Sequence, residues 1–309
     1  MAAKSLRLGT RGSALALAQA NLVATALGGA EVVPIRTSGD EPAARPAPGG
    51  DKARFVREIE RALLDGDVDI GVHSAKDLPS ELPDGLRIAG APRREDPLDC
   101  WIGPESSLEA VPEGARVGTS SLRRRAQLLA LRPDLEAADL SGNVDTRLGK
   151  LAAGDYDGIV LAAAGLVRLG RTDEIAFRLE PEEMTPAPGQ GALALETRSE
   201  DTDAVRAAEA IGDPEGTTEL RAERAAVAEL EASCSTPLGV QARHRGDGLM
   251  ISAFCGLPDG SEWIRDELEG DRDDPEGLAR RLVERLRAAG AAELLARAEK
   301  MAEPSGAGQ

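Results

Sequence analysis

Val68-Asp69-Ile70-Gly71-Val72-His73-Ser74-Ala75-Lys76-Asp77-Leu78-Pro79 is the stretch that decides the fold. Residues 68–72 form a short, largely β-branched run, which reads as a strand. The chain then turns polar at once, placing His73, Ser74, Lys76 and Asp77 within five positions. An apolar strand that ends in a polar cluster has the form expected at the carboxyl end of a strand in an open α/β sheet, where such sheets bind ligands. On the N-terminal side, residues 6–10 and 31–37 read as strands, and residues 13–27 and 52–64 as helices. Residues 38–51 carry three Pro and three Gly without periodicity and read as a mobile surface loop.

The alternation continues beyond the opening stretch. Residues 116–118, 135–140 and 158–161 read as strands, and residues 122–131 and 144–153 as helices. The order β-α-β-α implies an α/β fold with mainly parallel strands. Residues 181–188 form a Pro-rich connector, and 191–197 read as a strand that returns to the first unit. The final third differs. A helix at 215–231, strands at 239–243, 249–256 and 262–268, and one closing helix at 275–299 give an α+β unit, with a disordered tail at 304–309. No internal repeat is visible.

Composition narrows the function. The chain of 309 residues is 41% hydrophobic but only 2% aromatic, so its cores rest on Ala, Val, Leu and Ile. No apolar run reaches membrane-spanning length. No signal segment is visible, so the expected location is the cytoplasm. The net charge of −17 repels phosphate backbones and argues against a nucleic-acid partner. Five Lys stand against thirty-two Arg. Either a salt-rich cytoplasm or a GC-rich genome accounts for that imbalance. Cys100, Cys234 and Cys255 are far apart, and neither histidine accompanies a cysteine pair, so no metal site is expected.

Four polar clusters follow strands: Thr10-Arg11-Gly12-Ser13, the His73–Asp77 run, Gly118-Thr119-Ser120-Ser121 and Ser141-Gly142-Asn143. Ser121 is a good N-cap, which puts Arg123, Arg124 and Arg125 in the first turn of a helix, against its dipole. A bound anion would offset that conflict; surface acids pairing with a solvated basic face would do so too. Asp77 alone could be a carboxylate for proton transfer or a surface partner of Lys76. Cys100 and Cys255 fit apolar strands, whereas Cys234 sits in a polar loop as a nucleophile or an attachment point.

Taken together, these segments resemble the porphobilinogen deaminase (hydroxymethylbilane synthase) family almost end to end. The runs that carry the resemblance are residues 8–13 with Gln19, Val72-His73-Ser74-Ala75-Lys76-Asp77-Leu78-Pro79, residues 118–124, Gly142-Asn143-Val144 with Thr146-Arg147-Leu148, Pro188-Gly189-Gln190-Gly191-Ala192, and the Cys234 loop. The resemblance implies two class II periplasmic-binding-protein-like α/β domains, 1–97 with 190–212 and 98–189, and a smaller α+β domain at 213–309. It implies a monomeric transferase that joins four porphobilinogens head to tail, releases four ammonias, and frees hydroxymethylbilane by hydrolysis. The primer would be a dipyrromethane held as a thioether on Cys234, with no metal or nucleotide.

Asp77 would be the catalytic carboxylate, opposite the cationic azafulvene formed as ammonia leaves. Lys76, Ser121, Arg123, Arg124 and Arg147 would hold the cofactor. Arg11, Ser13, Gln19, Lys52, Phe55 and Gln190 would contact substrate. Two departures stand out: Ser141 occupies a position where the family usually has Arg, and Gly49-Gly50-Asp51-Lys52 replaces Gly-Gly-Lys-Gly. Without the resemblance, the residues also permit a non-enzymatic binder of small anions, or a transferase that uses Cys234 as a turnover nucleophile.

The acidic surface carries a prediction of its own. Carboxylate repulsion is screened over a Debye length of about 3 Å at 1 M salt. The melting temperature should therefore rise between low and molar KCl. A flat or falling melting temperature would leave genome composition as the explanation.

Overall fold

The computed structural model describes residues 5–36, 53–232 and 236–302. The loop expected at 38–51 and the tail at 304–309 lie outside the described residues.

The first sheet begins with β1 (Arg7–Arg11), α1 (Ala14–Ala26), β2 (Glu31–Ile35), α2 (Ala53–Leu64), β3 (Ile70–Ser74) and β4 (Leu86–Gly90). The chain then crosses to a second sheet. There it forms β5 (Asp99–Ile102), β6 (Arg116–Gly118), α3 (Leu122–Leu131), β7 (Glu136–Ala138), α4 (Val144–Ala152), β8 (Gly158–Ala162), α5 (Ala163–Arg168) and β9 (Phe177–Leu179). It returns through β10 (Leu193–Arg198) and α6 (Thr202–Ala210). The last unit comprises α7 (Pro214–Glu229), β11 (Leu238–Arg245), β12 (Gly248–Gly256), β13 (Trp263–Asp271), α8 (Pro275–Ala288) and α9 (Ala291–Ala302).

The two large sheets share one plan. Their strand orders are β2-β1-β3-β10-β4 and β7-β6-β8-β5-β9. In each, the first three strands of the order are parallel, and the fourth is antiparallel to both its neighbours. That antiparallel strand is the one delivered by the crossing chain: β5 completes the second sheet and β10 the first. The result is a two-lobed α/β fold of the class II binding-protein kind, with a three-stranded antiparallel sheet, β11-β12-β13, beside it. The repeat that is invisible in the residues is therefore present in the topology. The strand expected at 191–197 does return to the first sheet, and it pairs antiparallel to β3 and β4.

Local signals set the elements. Ser13, Ser121 and Asn143 cap α1, α3 and α4 by accepting the N–H of the third residue on, while Asp213 and Asp274 cap α7 and α8 ahead of Pro214 and Pro275. The scarce aromatics are concentrated: Trp101 is fully buried and stacks on Phe177 with ring centroids 5.9 Å apart. Cys100 and Cys255 are buried, and burial pushes both thiols up to about 12, as expected of small core residues. One expectation is corrected. The closing helix is two helices, because Gly290 takes φ +95 and turns the chain between α8 and α9. A helical pattern on both sides hides such a break, since the left-handed residue ends one helix just where the next begins.

Candidate active site

The parallel strands of both lobes direct their carboxyl ends to the polar clusters. Arg11 ends β1, and Ser13 caps α1. After β3 comes a single 3-10 turn, Ala75–Asp77, which carries Lys76 and Asp77. Thr119, Ser120 and Ser121 link β6 to α3, and Ser141-Gly142-Asn143 lead from β7 into α4. Within the second cluster Ser120 Oγ donates to the Leu140 carbonyl at 2.7 Å, tying these two loops together.

The conflict between α3 and its arginines is resolved inside the protein. Asp99, the first residue of β5, is fully buried. It accepts Arg123 Nη1 at 2.6 Å, Arg124 Nε at 2.9 Å and Gln190 Nε2 at 3.0 Å. Burial opposes its charge, but the two guanidiniums and the bonds from Arg123 and Gln190 outweigh that and hold its carboxyl well below the usual range. Arg123 also donates to the Thr185 carbonyl and Arg124 to the Val160 carbonyl, at 2.8 and 3.0 Å. Both side chains are buried. Neither surface acids nor a ligand alone is needed to offset the helix dipole.

Asp99, Arg123 and Arg124 lie close enough to Lys76 to act on its charge. Burial lowers the Lys76 ammonium to about 8; Asp77 and Asp99 oppose the shift, and Arg124 and Arg123 add to it. Burial and Arg124 likewise lower Arg147 to about 10, and its Nε donates to the Gly142 carbonyl at 2.8 Å. Six ionisable side chains thus converge from both lobes: Lys76, Arg123, Arg124 and Arg147 against Asp77 and Asp99.

Other expected residues stand as follows. Gln19 is buried on α1. Phe55 lies in α2, and Lys52 and Cys234 fall outside the described residues. Gln190, expected to face substrate, is fully buried, with its amide nitrogen bonded to the Pro97 carbonyl at 2.7 Å as well as to Asp99. It braces the crossing strands and reaches the cluster only through Asp99. Ser141, where the departure falls, is exposed, and Lys150 Nζ donates to its carbonyl at 3.3 Å.

Sequence reasoning missed three residues. Asp99 was one; its signal was an acid opening an otherwise apolar run, Asp99-Cys100-Trp101-Ile102. Arg168 ends α5, which follows β8 as the Lys76–Asp77 turn follows β3; it donates to the Gly191 carbonyl at 2.6 Å, and burial lowers it. Glu223 on α7 is fully buried. It accepts Arg94 Nη1 at 2.7 Å, the Gly189 N–H at 2.5 Å and the Ala242 N–H at 2.8 Å. Gly189 itself has φ +75, and a Cβ there would stand 2.9 Å from the Lys76 backbone nitrogen, so the return connector lies against the Lys76–Asp77 turn.

Such a site defines a two-lobed protein that gathers partly desolvated cations from both lobes. A family model for the porphobilinogen deaminase dipyrromethane cofactor-binding domain matches residues 6–206, and one for the porphobilinogen deaminase C-terminal domain matches 217–288. A porphobilinogen deaminase of Thermus thermophilus is 48% identical over 94% of this chain and 97% of its own. Those of Roseiflexus castenholzii and Deinococcus radiodurans are 47% and 44% identical, over 94% of this chain and 99% and 98% of theirs. The chain belongs to the porphobilinogen deaminase family. Among solved structures, a periplasmic binding protein of Salmonella typhimurium gives a TM-score of 0.40 at 13% identity, covering 70% of this chain and 94% of that one.

The residues fit the cofactor that this family implies. A dipyrromethane bears four carboxylates, and the cluster holds four cations against two acids, with Lys76 and Arg147 lowered chiefly by burial.

Removing Asp99 tests the cluster. Asp99→Asn leaves two buried guanidiniums without their carboxylate, a loss worth about 3–5 kcal/mol for a broken buried pair. Because the folded carboxyl is depressed, the stability it contributes is fully present above its ordinary value and is lost as pH falls below it. Denaturant unfolding should show a constant deficit for Asp99→Asn from pH 5 to 8 that shrinks below about pH 4. A deficit under about 1 kcal/mol at pH 7 would show that the arginines are neutralised by other groups.

Proposed function

We propose that this chain is a hydroxymethylbilane synthase, condensing four porphobilinogens onto a dipyrromethane anchored at Cys234, with loss of ammonia and final hydrolytic release of hydroxymethylbilane. The surplus of desolvated cations around the Ala75–Asp77 turn carries this reading, because every pyrrole of the growing chain brings an acetate and a propionate. Lys76, Ser121, Arg123, Arg124 and Arg147 would hold the cofactor carboxylates. Arg11, Ser13, Gln19, Lys52 and Phe55 would serve the incoming substrate, and Arg168 joins them from the second lobe. When bound, the dipyrromethane supplies a nucleophilic pyrrole carbon and a covalent tether.

Asp77 does the proton work. Its carboxylate accepts the pyrrole N–H of porphobilinogen, stabilises the cation left when the amine departs, and takes up the proton released at the pyrrole carbon as the new bond forms. The charge-assisted bonds from arginine fix each ring so that its reacting carbon meets that carboxylate. The enzyme is read as a cytoplasmic monomer of three domains, 1–97 with 190–212, 98–189 and 213–309. High-salt adaptation of its surface rests on the charge imbalance alone.

Two substitutions test the roles separately. Cys234→Ser should lack the adduct in intact mass, whereas Cys100→Ser and Cys255→Ser should keep it. An Ehrlich-positive dipyrrole on Cys234→Ser would place the anchor elsewhere. Asp77→Asn should fold and carry the adduct yet lose turnover by roughly 100-fold or more, the scale of a general acid–base group. Near-wild-type formation of porphyrinogen by Asp77→Asn would remove Asp77 from the chemistry.

A further inference from the structure

Helix α7 belongs to the third unit, yet one of its faces lies against the Lys76–Asp77 turn of the first lobe. Leu220 is buried in one apolar cluster with Ala75 and Leu78, the residues on either side of Lys76 and Asp77, and with Val56 of α2 and Ala192 and Ala194 of the return connector and β10. Arg224, one turn further along the same face, donates through Nη2 to the carbonyls of Pro79 and Ser80, both at 2.9 Å. Those carbonyls belong to the segment that leaves the turn. Glu223, about 100° round the helix, holds Arg94 and Gly189, so the two neighbouring side chains fix α7 to the connectors and to the first lobe at once. Burial lowers Arg224, and Glu196 of β10 opposes the shift.

The far end of α7 is just as closely specified. Glu231 has φ +52, a left-handed conformation for a residue other than glycine. Its N–H bonds the Ala228 carbonyl at 3.1 Å, and the Ala232 N–H bonds the Val227 carbonyl at 3.3 Å. That pair of bonds is a Schellman motif, which sets the direction in which the chain leaves the helix towards Cys234. Six residues separate Arg224 from Leu230, or about 9 Å of helix.

We propose that α7 fixes the turn that carries the catalytic carboxylate, with Arg224 as the positioning residue that holds the Asp77 turn against the helix. This rests on the assignment of Asp77 and Cys234 above. Arg224 touches no reacting atom. Its two bonds hold the backbone after Leu78, while Leu220 holds the apolar flanks of the turn, so the carboxylate of Asp77 is placed by the same helix that delivers the cofactor loop. Arg123, Arg124 and Arg147 are held by Asp99 and by backbone carbonyls outside this segment, and Lys76 is assigned to the tethered cofactor, so loss of Arg224 falls on the chemical step rather than on substrate affinity.

The test compares Arg224→Met and Arg224→Lys with the wild-type holoenzyme by intact mass, kcat, KM and amide hydrogen exchange over residues 76–81. Arg224→Met should keep the adduct, exchange faster across that segment, and lose roughly 10–100-fold in kcat, the scale of a small misplacement of reacting groups, with KM within about two-fold. Arg224→Lys, whose ammonium still donates to these carbonyls, should recover most of kcat. If Arg224→Met does not fold, Arg224→Lys decides alone. It should show a few-fold lower kcat and faster exchange at an unchanged melting temperature. Wild-type kcat and exchange in the variants that fold, or a rise in KM with kcat unchanged, would overturn the proposal. An unmodified wild-type mass or a fully active Asp77→Asn would instead sink the assignment of anchor and carboxylate, leaving the exchange result to stand on its own.

Discussion

A single buried carboxylate, Asp99, holds the two lobes in register. It opens the strand that the first lobe sends into the second, and it gathers α3 through Arg123 and Arg124 and the return connector through Gln190. Removing an ion from water costs several kcal/mol, and only close, multiple bonds recover that cost. Here the carboxylate accepts three charged or amide donors at 3.0 Å or less. The cluster therefore tolerates one arrangement of α3, β5 and the connector. The arginines' charge, which would be screened on a surface, is retained in the interior because Asp99 neutralises only part of it.

The third unit is not an appendage to this arrangement. Glu223 accepts from Arg94 on the outgoing connector, Gly189 on the return connector and Ala242 on β11. One side chain thus sees both crossings and the small sheet. Gln190 links this joint to the Asp99 cluster, since its carbonyl accepts Arg94 Nε at 2.9 Å while its amide donates to Asp99. The Pro188–Ala192 run, of which the resemblance makes Gln190 a substrate contact, is also where the three units meet.

What could be read from the residues was local. Strand ends, the Ser121 cap and the α+β character of the last third were visible because period and capping are properties of neighbours in the chain. What was not visible depended on pairing across more than twenty residues. Asp99 could not be matched to Arg123 without knowing that β5 lies beside β8, next to α3. Nor could the residues alone show that packing against Pro97 and Asp99 buries Gln190 completely. The break at Gly290 was local but concealed, because α8 and α9 both bury leucines on a common core and their apolar periods join across the turn. The reading of Cys234 as the anchor rests on its polar neighbours and the family resemblance alone.

The exchange of strands between the lobes has a consequence for how the chain comes to be folded. On a ribosome, residues 7–90 emerge with β3 and β4 separated by an empty position, because the strand that belongs between them is β10, more than a hundred residues later. The first lobe therefore waits with two open strand edges while the whole second lobe is synthesised. Contacts of such long sequence separation slow folding and leave apolar edges exposed to other chains. The second lobe has no such delay, since its borrowed strand, β5, precedes the rest of its sheet. Synthesis thus favours completion of the second lobe first, with the first lobe closing around β10 only as α7 arrives to lock the joint.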